Sequence, residues 1–263
     1  MNPKINKLLQ YNNQLRELVE TVFDRKFYFI TPKQAFLAYS FAKAYKTHAS
    51  IIVLCQKGNG QDAAILTRSL FELAVTTLYV LKDKTGSRLQ RWLDFDWVIR
   101  DEIYKHVQSE PGVSAAFDAR AQNPREGDSS VEEVSKMAQK MRKKYHYDLR
   151  KGWSDKIIKQ MSEAVGLESI YMTAYRLMSD LHHSAVRTMN DYFSQGANGE
   201  IMADTAPSER WIQETLVSSF QFFIMIIDKW TDEFNLGLDD KLQKLSDDYV
   251  NNVRGLNVEA EQT

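Results

Sequence analysis

The chain has 263 residues, of which 43% are hydrophobic and 26% are charged, an ordinary balance for a globular protein. Its 34 lysines and arginines nearly cancel its 35 aspartates and glutamates, so no overall basic excess indicates nucleic-acid binding. With only 11 glycines and 5 prolines, the sequence is too poor in turn residues for an all-β fold.

Hydrophobic residues recur at helical spacing through nearly the whole first half of the chain. Thr31 followed by Pro32 is typical of a helix start, because proline is tolerated in the first turn. Gly58 and Gly60 break the chain before the most apolar segment, and Ser87 is a capping residue for the next. The helices predicted here cover residues 5–29, 32–57, 62–83 and 87–109.

The second half continues the helical pattern. Ser130 and Glu133 form a predicted capping box, and residues 195–206 are the clearest loop. The helices predicted here cover residues 130–150, 154–165, 167–194 and 207–234. We predict an all-α, single-domain helical bundle of about eight helices, with no convincing strand. The domain is predicted over residues 1–237, with a peripheral insertion near 111–165 and an acidic tail at 238–263.

The apolar segment at residues 62–82 carries two charges between its polar ends, Arg68 and Glu72, one helical turn apart. A helix that is apolar on nearly every side is buried, and buried charges are costly unless they are paired. The spacing therefore predicts either a structural ion pair or part of a functional site. Tyr79 lies on the same face.

The helix predicted at residues 167–194 carries a polar stripe. At 100° per residue, Arg176, Asp180, His183 and Arg187 fall within an arc of about 60°. The arginines are suited to binding phosphate, and His183 to exchanging a proton near neutral pH. The alternative is a stripe that only braces helices together. We predict His183, Arg176, Asp180, Arg68 and Glu72 as the catalytic candidates, or else as a buried Arg/Glu/His polar network.

The spacing between Arg176 and His183 resembles the short Arg–His motif of HEPN domains, helical bundles that include metal-independent ribonucleases of stress and antiphage systems. A second formal match joins Arg100 and His106. The resemblance implies RNA backbone cleavage, with the histidine as acid or base and the arginine on the phosphate.

Two further stretches, 67–83 and 175–186, resemble a family of bacterial helical domains of unknown function. Those domains show an Arg-Ser-x-x-Glu helix and a later Tyr-Arg-x-x-Ser-x-x-x-His element. The matching residues are Arg68, Ser69, Glu72, Tyr175, Arg176, Ser179 and His183, whereas Ser184 stands where a glycine is expected. The resemblance covers residues 35–195. It groups these residues into one site or brace and implies no reaction.

A basic run at residues 136–151 combines lysines and arginines with tyrosines, the combination that binds single-stranded nucleic acid through phosphate contacts and base stacking. A solvated helix face is the alternative. The predicted nucleic-acid-binding residues are Lys140, Arg142, Lys143, Lys144, Tyr145 and Tyr147.

The remaining expectations concern cofactors and location. The histidines lack metal-ligand spacing, no phosphate loop occurs, and a single cysteine, Cys55, excludes an intramolecular disulfide, so we expect no metal and no cofactor. The N-terminal residues lack a signal-peptide core, and the most apolar short run, residues 220–227, is far below the roughly 20 residues that span a bilayer. We expect a cytoplasmic protein without a membrane segment, with RNA or a second copy of the chain as partner. It acts either through association or as a HEPN-like, metal-independent RNA endonuclease.

Overall fold

The computed structural model describes residues 2–26, 28, 30–110 and 129–260, and within these it leaves out the side chains of 108 and 253–260. Contacts divide the chain into two compact units. Unit 1 comprises residues 1–79 and 161–263, and unit 2 comprises residues 80–160. Much of the predicted insertion, residues 111–128, lies outside the described residues, and the predicted domain limits stay a prediction.

Ten α-helices make up most of the described chain, so the all-α prediction is confirmed. The helices are α1 (Pro3–Glu20), α2 (Pro32–Gln56), α3 (Gly60–Lys82), α4 (Ser87–Ser109), α5 (Val131–Tyr145), α6 (Ile158–Ala164), α7 (Glu168–Ile170), α8 (Arg176–His182), α9 (Ile212–Phe234) and α10 (Asp239–Ala260). A π-helical turn (Tyr171–Tyr175) joins α7 to α8, and a 3₁₀ helix (Val186–Tyr192) precedes a two-stranded hairpin of β1 (Phe193–Gln195) and β2 (Ile201–Ala203).

The core of unit 1 is built around α9, which packs against α1, α2 and α10. Its phenylalanines reach different neighbours: Phe222 lies 5.1 Å from the ring of Phe71 on α3, and Phe220 stacks on Tyr249 of α10 at 3.9 Å. All of these rings are almost fully buried. Each buried aromatic side chain removes a large apolar area from water, so this cluster is a major source of stability.

Two predicted helix limits are wrong for local reasons. Helix α1 ends at Glu20 instead of residue 29, and the hydroxyl of Thr21 donates to the carbonyl of Leu18 at 2.6 Å beside this end. Helix α9 begins at Ile212 instead of residue 207. Trp211 has a φ of 66°, which a right-handed helix cannot include, and Ser208 instead donates its N–H to Gly58.

The helix predicted at residues 167–194 is also shorter than expected. It ends at His182, and Ser184 adopts a left-handed conformation with a φ of 51°. The N–H of Ala185 then donates to the carbonyl of Asp180 at 2.9 Å, and the N–H of Ser184 to that of Leu181 at 3.3 Å. This is the hydrogen-bond pattern of a Schellman motif, in which glycine is preferred at the position that Ser184 occupies.

The region predicted as a loop contains strand β2, which pairs with β1 in antiparallel register, Ser194 opposite Met202. Because side chains alternate along a strand, and Tyr192 lies across from Asp204, the side chains of Tyr192 and Met202 share one face of the hairpin. Both residues of β2 that carry large apolar side chains, Ile201 and Met202, are exposed.

Unit 2 consists mainly of α4 packed against α5. The predicted cap at Ser130 is confirmed, since its hydroxyl accepts the N–H of Glu133 at 3.1 Å. Helix α5 stops at Tyr145, before the predicted residue 150, because His146 adopts a left-handed conformation with a φ of 50°. The side chains of Val134, Ala138 and Met141 form the buried face of this helix.

Candidate functional site

Three side chains of unit 1 meet between α3 and the π-helical turn. The guanidinium Nη2 of Arg68 lies 2.9 Å from Oε1 of Glu72 and donates to the Tyr175 hydroxyl at 3.2 Å. The hydroxyl of Tyr175 in turn donates to the same Glu72 oxygen at 2.8 Å. The predicted Arg68–Glu72 pair is therefore present, and Tyr175 completes it as a closed triangle, which we call the polar cluster.

Tyr175 is held in the polar cluster by both burial and packing. Its ring stacks on Tyr171 at 4.8 Å and lies 5.1 Å from Phe71. Burial, with the adjacent Glu72 carboxylate, raises the pKa of Tyr175 to about 12. A phenol that keeps its proton is a hydrogen-bond donor and a poor nucleophile or base near neutral pH. The polar cluster is thus suited to holding the π-helical turn on α3.

The predicted histidine partner does not join the polar cluster as a buried group. His183 and Arg176 are both exposed to solvent. The expectation that His183 belongs to a buried Arg/Glu/His network is therefore wrong. The Schellman motif is the physical reason, because it places His183 at the helix end, at the surface. Sequence reasoning missed the role of Tyr175, although its position directly before Arg176 in the Tyr-Arg element was the available signal.

The remaining members of the predicted stripe form a separate pair. Arg187 lies on the 3₁₀ helix, beyond the end of α8, and makes an ion pair with Asp180. The single helical stripe is therefore wrong as predicted, since the chain turns back before Arg187. The imidazole rings of His182 and His183 approach edge to face at 4.7 Å.

The second formal Arg–His match lies on α4 in unit 2. Arg100 pairs with Asp96 at 2.7 Å, one turn earlier on the same helix, and His106 is exposed near the helix end. Within the described residues, no group of three or more histidine, cysteine, aspartate or glutamate side chains is arranged to hold a metal ion. The expectation of no metal or cofactor stays a prediction.

A family model covers both of the motifs that meet in the polar cluster. The model for a family of unknown function, DUF5677, matches residues 15–201, which is more than half of the chain. The chain belongs to the DUF5677 family. Comparisons with curated proteins and with solved structures find no match. The predicted membership of a helical family of unknown function is confirmed, and the family description names no reaction.

Part of the basic run of this DUF5677 chain makes internal contacts in unit 2. Arg142 binds Asp101 and Glu102 at 2.6 Å each, and Lys144 lies 3.3 Å from Asp94. The hydroxyl of Tyr145 donates to the same Asp94 carboxylate, which lowers the pKa of Asp94 against the effect of its burial.

Tyr147 donates its hydroxyl to the carbonyl of Arg91, and its ring lies 5.1 Å from that guanidinium. Lys140 and Lys143 are exposed. The contacts thus give Arg142, Lys144, Tyr145 and Tyr147 structural partners in unit 2, and nucleic-acid binding by this run stays a prediction.

The DUF5677 chain also exposes apolar side chains in an unusual concentration between residues 172 and 202. Val186 is 86% exposed and Met189 54%. Because a 3₁₀ helix has three residues per turn, Val186, Met189 and Tyr192 lie above one another on one face of it. We call these three residues the apolar ridge. The other exposed apolar residues of this segment are Met172, Leu177, Ile201 and Met202.

Sequence reasoning did not find the apolar ridge, because it assigned these residues to an α-helix. In an α-helix, residues three apart are offset by about 60°, and the ridge would not be aligned. By contrast, Phe220, Phe223 and Trp230 on α9 are buried. The spacing of Val186, Met189 and Tyr192 was the only signal in the sequence.

By length and composition, α3 is apolar enough to cross a membrane, although a buried core helix passes the same test. Much of α3 is buried inside the protein, including Phe71 and Ala74. This helix therefore gives no separate evidence for a membrane segment.

Proposed function

We propose that this protein acts by association with another protein chain, and that the apolar ridge is the centre of the contact surface. The exposure of Val186, Met189 and Tyr192 on one face of the 3₁₀ helix is the observation that carries the proposal. Single apolar side chains on a surface are ordinary, whereas a contiguous apolar strip is typical of an interaction site.

Hydrophobic area left in water is unfavourable by about 25 cal/mol per Å², so covering the apolar ridge contributes directly to binding. Tyr192 and Met202 share a face of the hairpin, which extends the strip beyond the 3₁₀ helix. The same segment is anchored at its start by the polar cluster. The Tyr175 hydroxyl connects the π-helical turn to α3 by hydrogen bonds, so the segment that carries the apolar ridge is fixed to α3 at its start.

The test compares two apolar-to-charged substitutions. Val186→Glu places a charge on the apolar ridge, while the matched control Val53→Glu places one on α2, where Val53 is also exposed. Wild-type protein and both variants are sized by gel filtration, both in extract of the expressing cells and after purification.

Wild type and Val53→Glu are expected in a species larger than the 30.5 kDa chain, and Val186→Glu at the size of the single chain. Monomer-sized wild type in both preparations would contradict the proposal. The cytoplasmic location expected from the sequence stays a prediction, which fractionation of the same cells tests.

A second candidate function is RNA cleavage without a metal ion. The solvent exposure of both Arg176 and His183 favours it, because substrate needs access to a catalytic pair. The test incubates wild type, His183→Ala and the neighbouring control His182→Ala with mixed RNA in EDTA. Loss of cleavage in His183→Ala alone, with unchanged melting temperature, would support this function. No cleavage by wild type would rule it out under these conditions.

A further inference from the structure

We infer that α5 in unit 2 carries a binding site for the phosphate backbone of a nucleic-acid strand, formed by Lys136, Lys140 and Lys143. We call these three residues the lysine row. The lysine row keeps two of the residues predicted from the basic run and adds Lys136. It is independent of the apolar ridge and of the proposed association with another protein chain.

The lysine row follows one side of α5. At 100° and 1.5 Å per residue, its three positions fall within an arc of about 60° and extend over about 10 Å of the helix axis. All three lysines are exposed, while Val134, Ala138 and Met141 on the opposite side of the helix are buried. The helix therefore places three positive charges along one line at the surface of unit 2.

The acids of α4 do not neutralise the lysine row, because other cations bind them. Arg142 pairs with Asp101 and Glu102, and Lys144 pairs with Asp94. The three lysines of the row form no ion pair with any residue that the structure describes. Their charges are thus left to a partner or to solvent ions.

The two glutamates of α5 lie in its first turn. Hydrogen bonds from its own backbone N–H and from the Ser130 side chain lower the pKa of the Glu132 carboxyl, which is therefore engaged at the start of the helix. Glu133 lies on the side of the lysine row, three residues before Lys136, and offsets charge at that end. Seven residues, or about 10 Å of the axis, separate Glu133 from Lys140.

The rest of the helix carries no acid. Residues 134–147 contain no aspartate or glutamate, and the next acid along the chain, Asp148, pairs with Arg150 at 3.1 Å. The lysine row is therefore a cationic surface on a chain whose overall net charge is −1. Binding of an anionic partner here would come from the local surface and not from the charge of the whole protein.

A chain of phosphates suits the lysine row better than a single anion. Neighbouring lysines of the row are about 5 to 6 Å apart along the helix, closer than the Debye length of about 8 Å at physiological ionic strength, so their charges repel each other. A nucleic-acid strand can place phosphates along the whole row, and each contact releases a counterion from the strand. Because Tyr145 and Tyr147 donate their hydroxyls inside unit 2, we expect phosphate contacts without base readout.

Two other anionic partners fit the lysine row less well. Protein–protein interfaces are depleted in lysine relative to the rest of the surface. A membrane-bound amphipathic helix inserts its apolar side into the bilayer, whereas the apolar side of α5 is buried in unit 2. Poly-glutamate and phosphatidylserine vesicles therefore serve as comparison ligands.

The experiment measures fluorescence anisotropy of a labelled single-stranded DNA of about 16 nucleotides. DNA is used because it lacks the 2′-hydroxyl that metal-free RNA cleavage requires. The test variant replaces the whole lysine row by glutamine. The control replaces three exposed lysines of unit 1, Lys43, Lys46 and Lys57, by glutamine and so has the same net charge. Circular dichroism melts verify that both variants are folded.

Wild type and control are expected to bind the DNA and to lose about twentyfold in affinity between about 50 and 200 mM salt, the loss for three phosphate contacts on a single strand. The lysine-row variant is expected to bind at least about tenfold more weakly than the control at about 50 mM salt. The single variant Lys140→Gln, which keeps most of the row, is expected to lower the slope of log affinity against log salt by about 0.7.

No binding of wild type at about 50 mM salt would overturn the inference. Equal affinities of the lysine-row variant and the control would overturn it as well. If the lysine-row variant does not fold, an unchanged salt slope in Lys140→Gln has the same meaning. Tighter binding of wild type to poly-glutamate or to phosphatidylserine vesicles than to the DNA would show that the row binds a different class of partner.

Discussion

The hydroxyl of Tyr175 donates a 2.8 Å hydrogen bond to Oε1 of Glu72, although the two residues are 103 positions apart. The same oxygen is 2.9 Å from the guanidinium of Arg68, so one carboxylate oxygen holds two donors. A charge-assisted hydrogen bond is stronger than one between neutral groups, and this contact connects α3 to the π-helical turn. The start of the segment that carries the apolar ridge is thereby fixed to the core of unit 1.

Tyr175→Phe is expected to lower the free energy of unfolding by about 1 kcal/mol, because it removes the hydroxyl and leaves the ring packed. Tyr171→Phe is the matched control, since Tyr171 stacks on the same ring at the partly exposed side. Urea unfolding measures both variants. A loss in Tyr171→Phe as large as that in Tyr175→Phe would show that the hydrogen bonds of the Tyr175 hydroxyl are not the specific source of the lost stability.

The sequence was sufficient for the features that depend on local pattern. Helical periodicity gave the all-α class, and the capping residues Thr31 and Ser130 marked two helix starts that the structure confirms. The isolated charges in an apolar helix gave the Arg68–Glu72 pair. In each case neighbouring residues along the chain determine the outcome, so no knowledge of the tertiary fold was needed.

Three of the errors in helix limits fall where residues that are not glycine adopt a left-handed conformation. Ser184, Trp211 and His146 each have a φ between 50° and 66°, and each limits a helix that was predicted to be longer. Such a conformation costs an ordinary residue about 1 kcal/mol, which tertiary contacts can supply. Because the helix was extended past Ser184, the 3₁₀ helix and its apolar ridge could not be predicted.

Unit 2 offers a test of the contacts made by the basic run. Among the described residues, Arg142→Gln leaves the exposed Lys105, 2.8 Å away, as the remaining cation paired with the buried Asp101. We expect the variant to lose about 1–2 kcal/mol of stability, since a nearly buried carboxylate loses a charged partner. The control Lys143→Gln is expected to stay within about 0.5 kcal/mol of wild type because Lys143 is exposed. Equal melting temperatures for the two variants would contradict this.

A buried polar network on α1, α2 and α9 surrounds His48, which the sequence analysis did not single out. The amide of Asn12 donates to the carbonyls of Leu8 and Leu216, at 2.8 and 3.2 Å, so its oxygen is left to accept. That oxygen lies 2.8 Å from Nε2 of His48, which assigns the ring proton to Nε2. Phe223 stacks on the imidazole at 4.4 Å.

Burial, with a smaller effect of the nearby Arg16 charge, lowers the pKa of His48 to about 3. In the unfolded chain the pKa is about 6.5, so between these values the unfolded state binds the extra proton. Stability contributed by neutral His48 is therefore complete above about pH 6.5 and decreases as the pH falls toward 3, by up to about 1.4 kcal/mol per pH unit.

Urea unfolding of wild type and His48→Gln between about pH 4 and 8 measures this dependence. Below about pH 6.5, wild type is expected to lose stability more steeply than His48→Gln. The difference in slope should be close to the about 1.4 kcal/mol per pH unit that the uptake of one proton on unfolding gives. His106→Gln is the control, because His106 is exposed and its removal is expected to leave the steep slope in place. Parallel curves for wild type and His48→Gln would mean that His48 is not the group whose protonation destabilises the fold in acid.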